Sequence, residues 1–489
     1  MFARLNLERL VTAIVLVAVF AMAVRVPASP DTWWHLRCGE VQWQTRAVLK
    51  SDLFSHTAQG APWVNQSWLP QLAMYGLWTL GGFPALALAV AALVAGAVAL
   101  ILAASEAPGR YGYLWRALVV IWAAISTGRV WAARPHLISF LLTAAWLYLL
   151  DRHRAGKPKA LYWLPGLMAL WANSHGGYIV GFLLLCAEIG GQVLDWLPAR
   201  RTSSLWPRIK PFVLLTLLAA LAASINPQGL GLLLFPFQTL SSPAQQNYVA
   251  EWASPDFHAA DMLPFLGLLL ATWSALVFST RPVNGAEWLR LLGFSAMALR
   301  SGRYLGLCAL VMAPLLAQHG AAALARFGLP GGNNVRSRPT RGHPAINWLL
   351  LALIVTASVL KIARPLDAAL IERIHRQSFP VDAVDYMQQR QLPATLFNEY
   401  AWGGYLIWRH IPVFIDGRAD PYGDALITAY RNAISAQPGW EQTLDSSGVH
   451  TALLAANSPL AMVMETNAGW KNVYRDDIAV LYVKTLAHR

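Results

Sequence analysis

The chain has 489 residues, of which 56% are hydrophobic and only 13% are charged, and its mean hydropathy is +0.41. Globular domains carry about 25% charged residues, so this composition excludes an ordinary soluble protein. The formal net charge is +13, but nucleic-acid binding requires a basic patch on a polar surface, which most of this chain lacks. Cys38, Cys186 and Cys308 are far apart in the sequence, which excludes a disulfide framework and a CxxC metal site.

Eleven apolar runs predict membrane-spanning helices, because a bilayer core needs about 20 apolar residues of helix. The runs are residues 10–24, 83–104, 113–127, 135–150, 161–172, 178–197, 211–225, 262–279, 288–299, 304–317 and 346–362. Arg25 and Pro27 follow the first run in place of a small-residue cleavage site, so it does not read as a signal peptide. We therefore expect a multi-span α-helical membrane protein with about eleven transmembrane helices.

The positive charge predicts the orientation of these helices, because loops rich in Lys and Arg face the cytoplasm. The basic loops are residues 151–159, 199–210 and 326–341, and they fall on the same side as the Arg4 and Arg9 terminus. An odd number of spans then puts the C-terminal region outside. Under this assignment the whole excess of +13 lies on the cytoplasmic side, so it is a topology signal.

Beyond the last apolar run the composition changes, and short strand-like and helix-like segments alternate. The predicted strands are residues 394–398, 413–416, 449–454 and 478–483, and the predicted helices are residues 382–391, 405–408, 425–434 and 460–466. This alternation is typical of a small α/β domain. We predict a membrane body at residues 1–377, whose first outer loop at 25–82 carries surface helices at 32–48 and 66–80, and a periplasmic α/β domain at 378–489.

The first outer loop contains the sharpest candidate for catalysis, the sequence Asp31-Thr-Trp33-Trp34-His35. On a helix Asp31 and His35 share a face, so the carboxylate and the imidazole can act together in catalysis. The carboxylate suits a general base on a sugar hydroxyl or a ligand of a divalent ion. The alternative is that Asp31 caps the helix that follows it. Trp33, Trp34 and Asn65 of the same loop are candidates for positioning the substrate.

Four arginines flank short turns on the predicted outer side: Arg129, Arg134, Arg300 and Arg303. A guanidinium group binds phosphate through a planar fork of donors, so these residues are candidates for a phosphate site. The alternative is that they extend to lipid headgroups. Their outer placement runs against the positive-inside bias, which disfavours that alternative for the group.

The remaining candidates lie in later outer segments. His136 and His175 are candidates for substrate positioning, although they can also satisfy the backbone of a broken helix. Glu251 is a candidate catalytic carboxylate, with a solvated loop residue as the alternative. Glu399 and Tyr400, in NEYAWGGY, follow a predicted strand, where α/β folds place ligand sites, but this motif and the later FIDGRAD also suit tight turns.

The chain resembles a bacterial branch of the GT-C superfamily, the multi-span glycosyltransferases that take sugar from a polyprenyl-phosphate carrier. The motifs of this resemblance are DTWWHLRCGE, PWVNQSWL, RPHL, WANSHGG, INPQG, EWASP, RSGRY, NEYAWGGYLIW and FIDGRAD, in this order along nearly the whole chain. The resemblance implies that Asp31 is the catalytic first-loop aspartate and that Arg303 and Arg129 bind the carrier phosphate. Glu251 and NEYAWGGY are similar to the late-loop glutamate and the aromatic-Asp-Tyr-Gly motif of oligosaccharyltransferases.

The chain also departs from the superfamily pattern. Many members have a second acidic motif between the third and fourth spans, where this chain has GRVWAAR, without an acid. A divalent metal, Mg²⁺ or Mn²⁺, is therefore an expectation with an incomplete ligand set. Asp31 and Glu251 are its candidate ligands, and His35 is a further one.

Together with Asp31 and the outer arginines, the resemblance implies an inverting glycosyltransferase of a bacterial inner membrane, with residues 378–489 in the periplasm. It would move a sugar from a polyprenyl-phosphate carrier to a lipid, glycan or protein acceptor, with Asp31 as the general base and no nucleic-acid partner. Two alternatives stay open. A glycolipid transporter or flippase would need a polar path and a site near the midplane of the bilayer, whereas the polar residues here crowd one face. A non-catalytic membrane anchor would bind a partner through its outer α/β domain.

Overall fold

The computed structural model describes residues 5–107, 112–199, 203–328 and 343–485. Of the described residues, 71% are helical, and the chain forms two compact units, each made of three segments. The first unit is Met1–Arg25, Ala87–Leu234 and Glu251–Arg364, and the second is Val26–Leu86, Phe235–Ala250 and Pro365–Arg489. This division differs from the single boundary predicted at residue 378, because the first outer loop packs with the C-terminal region.

The helices follow the apolar runs closely. They are α1 (Leu7–Ala23), α2 (Pro30–Thr45), α3 (Trp68–Ala104), α4 (Gly112–Ser126), α5 (His136–Arg154), α6 (Leu164–Ala172), α7 (Ile179–Trp196), α8 (Trp206–Ala223), α9 (Phe235–Leu240), α10 (Pro243–Tyr248), α11 (Leu263–Phe278), α12 (Gly285–Arg300), α13 (Leu305–Arg326), α14 (Pro344–Ala363), α15 (Ala368–Ser378), α16 (Val381–Gln389), α17 (Gly403–Trp408), α18 (Gly423–Ile434), α19 (Trp440–Ser446) and α20 (Pro459–Glu465). Each of the eleven apolar runs overlaps one of these helices.

Six helical segments among the described residues are long and apolar enough to cross a membrane. They are Trp68–Ala104, Gly176–Trp196, Trp206–Ala223, Ala260–Phe278, Gly302–Arg326 and Pro344–Leu366. The count of eleven spans and the orientation stay predictions. Of the basic loops used for the orientation, residues 200–202 and 329–341 lie outside the described residues.

Close helix packing in the first unit depends on small residues, as is usual where helices pack in a membrane. A methyl group at Gly191 in α7 would overlap the backbone of Ala286 in α12, and one at Gly285 would overlap the backbone of Gly191. A buried carboxylate lies near this crossing. Glu188 in α7 pairs with Arg154 and lies 3.8 Å from Arg290, so its charge is matched by guanidinium groups from two other helices.

The second unit contains a four-stranded mixed sheet with the order β1-β2-β4-β3. Its strands are β1 (Leu396–Asn398), β2 (Thr451–Ala455), β3 (Trp470–Arg475) and β4 (Ala479–Lys484). β1 and β2 are parallel, whereas β4 is antiparallel to both β2 and β3. Strands β1, β2 and β4 lie where strands were predicted, but β3 was missed. Its ladder is interrupted between Asn472 and Tyr474, so its sequence lacks a clean alternation.

The strand predicted at residues 413–416 is wrong. The side chain of Asn398, at the end of β1, accepts a hydrogen bond from the backbone N–H of Phe414 (2.8 Å) and donates to the carbonyl of Ile415 (2.9 Å). One amide side chain thus replaces a strand ladder and holds this buried segment beside the sheet. The only backbone pairing described for the segment is an isolated bridge between Val413 and Ser55.

The two helices predicted in the first outer loop are present with shifted boundaries. Ser29 occupies the cap position of α2, and Pro30 is its first helical residue, a position that proline favours. α3 starts at Trp68 and is interrupted at Gly81 and Gly82. Gly82 has a φ of +59°, which favours glycine, so this residue permits the change of direction before the apolar run.

Candidate functional site

Asp31 lies in the first turn of α2 and does not cap the helix, because Ser29 occupies the cap position. The indole N–H of Trp34, one turn later, donates to Oδ1 of Asp31 over 2.9 Å. The first turn of a helix also stabilises negative charge, since its unpaired N–H groups carry partial positive charge. The carboxylate is therefore held in a defined position at the start of α2, as a catalytic base requires.

His35 and Asn65 belong to a buried network of amide groups in the second unit. The amide of Gln71 donates to Nδ1 of His35 (3.2 Å), and its oxygen accepts from Asn65 (2.7 Å) and Gln42 (2.9 Å). The His35 ring also packs on Trp34, with ring centroids 3.5 Å apart. His35 and Asn65 are both buried, so this network seats α2 against the start of α3.

Trp33 is part of the hydrophobic core of the second unit. Its ring makes edge-to-face contacts with Phe83, Phe379 and Tyr405 at centroid distances of 5.1, 5.3 and 5.2 Å. Only 4% of the residue is exposed. The substrate-positioning role predicted for Trp33 does not fit this environment, because the ring is enclosed by other aromatic rings.

Glu399 and Tyr400 make contacts that organise the sheet region. Oε1 of Glu399 accepts a hydrogen bond from the backbone N–H of Ala455 in β2 over 3.0 Å, and burial raises the pKa of this carboxyl group. The backbone N–H of Tyr400 donates to the hydroxyl of Tyr430 over 2.8 Å. These contacts support the turn interpretation of NEYAWGGY more than a ligand site.

The FIDGRAD motif forms a buried ion network that the sequence did not reveal. Arg418 donates to both oxygens of Asp416 (2.8 and 2.6 Å) and to Oδ1 of Asp52 in the first outer loop (2.5 Å). Its guanidinium group also lies over the ring of Trp63, 5.2 Å from the centroid. The acid–Arg spacing of the motif was visible in the sequence, but its partner Asp52, hundreds of residues earlier, carried no signal.

A second polar cluster lies in the first unit, where Arg134 and Arg303 converge on Glu251. Arg134 contacts Oε1 of Glu251 at 2.5 Å, and Arg303 contacts Oε2 at 3.3 Å. The Arg303 guanidinium also lies over the ring of Trp252, 4.7 Å from the centroid. Burial would raise the pKa of Glu251, but the two guanidinium groups outweigh it and lower this pKa to about 2.

The backbone fixes the loops that carry this cluster. The hydroxyl of Ser301 donates to the carbonyl of Glu251 (2.9 Å), and the N–H of Gly302 donates to the carbonyl of Ala253 (2.9 Å). The motifs EWASP and RSGRY, separated in the sequence, therefore form one loop pair. This pairing explains why Arg303 reaches Glu251 directly.

The other two arginines do not join this cluster. Arg129 pairs with Asp261 at 3.1 Å, and more than half of each side chain is exposed. Arg300 is exposed, and within the described residues its side chain has no ion pair. The four predicted phosphate-binding residues therefore divide into a converging pair, Arg134 and Arg303, and two separate exposed cations.

The two histidines of the first unit are engaged with backbone groups. Nε2 of His136 lies 2.6 Å from the carbonyl oxygen of Val130, and Nδ1 of His175 accepts from the N–H of Gly177 over 3.0 Å. Ser139 lies 2.8 Å from the same Nδ1. Both side chains thus contact backbone groups where helices are interrupted, in agreement with the structural alternative for these residues.

The residues predicted to hold a metal fit that role poorly. Each oxygen of Glu251 is bound by a different guanidinium group, so this carboxylate is not available as a ligand in the present arrangement. In the described parts of the chain, no group of three or more His, Cys, Asp or Glu residues is placed to hold a metal ion.

No family model matches the sequence, and no curated protein matches it either. Solved structures do match. The archaeal oligosaccharyltransferase AglB from Archaeoglobus fulgidus, in complex with an inhibitory peptide and a dolichol-phosphate, has a TM-score of 0.54 and 9% identity over 97% of this chain and 74% of its own. ArnT from Cupriavidus metallidurans has a TM-score of 0.52 and 14% identity over 96% of both chains.

The arabinofuranosyltransferase AftD from Mycobacteria has a TM-score of 0.51 and 14% identity over 97% of this chain, which spans 41% of that larger protein. These structural neighbours are GT-C glycosyltransferases. At such low identities the likeness shows a shared fold, and it covers nearly the whole chain.

Proposed function

We propose that this protein is a membrane glycosyltransferase that transfers a sugar from a polyprenyl-phosphate carrier to an acceptor hydroxyl group, with inversion at the anomeric carbon. The observation that carries the proposal is Asp31. In a chain with the GT-C fold, this acidic residue of the first outer loop lies in the first turn of a loop helix, and its carboxylate is held by the Trp34 indole.

The proposed reaction is a single displacement. Asp31 accepts the proton of the acceptor hydroxyl, whose oxygen attacks the anomeric carbon while the bond between that carbon and the carrier phosphate breaks. The carrier leaves as polyprenyl phosphate. The acceptor is a lipid, a glycan or a protein, and no step is assigned to a metal.

We assign the carrier phosphate to the arginines of the first unit, with Arg134 and Arg303 as the central pair. A guanidinium group stabilises the negative charge that develops on a leaving phosphate. Glu251 then serves to orient this pair, because each of its oxygens contacts one of the two arginines. An incoming phosphate would compete with this carboxylate for the same donors. Arg129 and Arg300 are proposed as outer contacts.

The proposal places the chain in a bacterial inner membrane, with eleven spans, a cytoplasmic N-terminus and residues 378–489 in the periplasm. A reporter enzyme that is active only in the periplasm, fused after residue 377, tests this orientation. We expect an active fusion there and an inactive one when the reporter is fused in the basic loop at residues 151–159. The reverse pattern would contradict the topology.

The function is tested by mass spectrometry of envelope glycans and lipid-linked sugars from cells with and without the gene. We expect the deletion to remove one sugar from a glycan or lipid and to leave a polyprenyl-phosphate sugar unused. The wild-type gene and a Glu40→Gln control, changed on the same helix as Asp31, should restore the sugar. Unchanged glycans in the deletion strain would contradict the proposal. Movement of the carrier lipid across the membrane of proteoliposomes, without sugar transfer, would support the flippase alternative.

A further inference from the structure

Gly417, in the FIDGRAD motif, borders the carboxylate of Asp31. A methyl group at this glycine would overlap Oδ1 of Asp31, the same oxygen that accepts the hydrogen bond from Trp34, and would lie 3.4 Å from the indole nitrogen itself. The space that glycine leaves is therefore the space that the carboxylate occupies.

The need for glycine at this position arises from space and not from backbone geometry. Gly417 is not among the residues with positive φ, in contrast to Gly423 six residues later (φ +64°). An alanine could adopt the backbone conformation of Gly417 without strain, since only the left-handed region disfavours it. The turn interpretation of the motif thus does not account for this glycine.

The loop that carries Gly417 is fixed on both sides of it. Asp416 and Arg418 belong to the buried ion network with Asp52, and all three charged groups are fully inaccessible to solvent. The hydroxyl of Ser55 also contacts Asp52 at 2.5 Å. Because the flanking residues are held in this way, the backbone at Gly417 cannot easily retreat from Asp31.

Glycines of the NEYAWGGY motif also pack against the first turn of α2. A methyl group at Gly404 would overlap the carbonyl oxygen of Pro30, the residue before Asp31, and would lie 3.2 Å from a ring carbon of Trp34. At Gly403 a methyl group would overlap the carbonyl of Ile415 and the side chain of Asp416. Two C-terminal motifs therefore pack through glycines around the first turn of α2.

We propose that Gly417 is a positioning residue, which together with the Asp416–Arg418 loop sets the place of the Asp31 carboxylate, and that this is the task of the FIDGRAD motif. The inference rests on the proposed function of Asp31 as the base. It assigns to the C-terminal region of the second unit a direct part in the chemistry of the first outer loop. A displacement of a catalytic group by about 1 Å can lower a rate by about 10²-fold.

The test compares Gly417→Ala with Gly76→Ala in α3, where an added methyl group meets no atom within 4 Å. The full-length protein is reconstituted in proteoliposomes with lipid extract from deletion cells, which supplies the unused lipid-linked sugar. We expect kcat of Gly417→Ala to fall about 10²-fold, with little change in KM for the donor, and a cooperative unfolding transition will show that the variant is folded. Gly76→Ala should keep the wild-type kcat.

A second comparison separates positioning from a general structural effect. In an Asp31→Asn background, Gly417→Ala should lower the residual rate no further, because the two changes act through the same group. Wild-type kcat in Gly417→Ala, or an independent further loss in the Asp31→Asn background, would overturn the inference.

If Gly417→Ala does not fold, Asp31→Ala combined with it should restore folding, because the shortened side chain leaves room for the methyl group. Failure of that double variant to fold would also overturn the inference. Full activity of Asp31→Asn alone would instead contradict the proposed function, so the two failures are distinguishable.

Discussion

The two units each contain a cluster of arginines and carboxylates, and the clusters differ in both charge balance and exposure. In the second unit one guanidinium, Arg418, is shared by Asp416 and Asp52, and none of these side chains is exposed. In the first unit two guanidinium groups, Arg134 and Arg303, share Glu251, and their side chains are 24% and 38% exposed.

The difference indicates different tasks. A fully buried ion network cannot exchange its partners with a ligand, so the Arg418 network serves to hold the loop beside Asp31. The cluster on Glu251 joins two guanidinium groups to one carboxylate and is partly open to solvent, so a phosphate can compete with Glu251 for these donors. A fully desolvated ion network forms a scaffold, whereas solvent-accessible guanidinium groups can form an anion-binding site.

The largest expected effect is on stability, at Arg418. Arg418→Met would leave Asp416 and Asp52 as buried carboxylates without a cation, which costs about 3–5 kcal/mol of unfolding free energy. Arg475→Met is the matched control, because Arg475 pairs with Glu465 on the surface and such pairs contribute less than about 1 kcal/mol. Chemical denaturation in detergent measures both, and equal losses would remove the distinction between the two kinds of cluster.

The next effect concerns donor binding by the exposed cluster. Arg303→Ala should lower kcat/KM for the lipid-linked sugar about 10²-fold, as expected for loss of one donor to a developing oxyanion. Arg303→Lys keeps the charge but loses the planar fork, so it should recover only part of this loss. Arg208→Ala, at an exposed position of α8, is the control. Wild-type kcat/KM in Arg303→Ala would remove this cluster from the donor site.

A smaller effect is expected in the pH dependence of stability. The pKa of Glu251 is lowered from 4.5 to about 2 in the folded chain, so its contribution to stability is fully present above pH 4.5 and is lost as the pH falls towards 2. The difference in unfolding temperature between wild type and Glu251→Gln should therefore be constant from pH 8 to pH 5.5 and should narrow at pH 3. If the difference in unfolding temperature is unchanged at pH 3, the ionised Glu251 carboxylate is not stabilised by Arg134 and Arg303.

The smallest effect is expected from removal of divalent metal. Both oxygens of Glu251 are held by arginines, which removes one of the three candidate ligands. Treatment of the proteoliposomes with EDTA should change the transfer rate by no more than about twofold relative to untreated proteoliposomes. A parallel sample with added Mn²⁺ controls for the effect of divalent ions on the charge of the lipid surface. A loss of activity on chelation that Mg²⁺ or Mn²⁺ restores would contradict this expectation and would bring Asp31 back as a metal ligand.

The sequence predicted the helical body well, because an apolar run of sufficient length admits few structures other than a helix in a membrane. It predicted three of the four strands but not β3, whose pairing is irregular, and it placed a strand at residues 413–416 where the side chain of Asn398 replaces the ladder. The interleaved division into units was not visible, because contacts between distant segments carry no local signal.

For the candidate site as well, the sequence identified individual residues but not the contacts between them. Asp31 was identified from its position after the first span, and the arginines from their place on the predicted outer side, where Lys and Arg are less common. The sequence could not show that Arg134 and Arg303 converge on Glu251, that His35 and Asn65 are buried in an amide network, or that Gly417 lies against Asp31. Each of these facts depends on a contact between residues that are separated by a loop or by most of the chain.

The most direct test of the account is the rate at which the reconstituted protein consumes the lipid-linked sugar that accumulates in deletion cells. Wild type and Glu40→Gln should consume it at the same rate, and Asp31→Asn should be slower by about 10³-fold, which lies within the range for loss of a general base. The Asp31→Asn protein should keep the wild-type unfolding temperature, since an asparagine oxygen can still accept the hydrogen bond from Trp34. Consumption by Asp31→Asn at the wild-type rate would contradict the account.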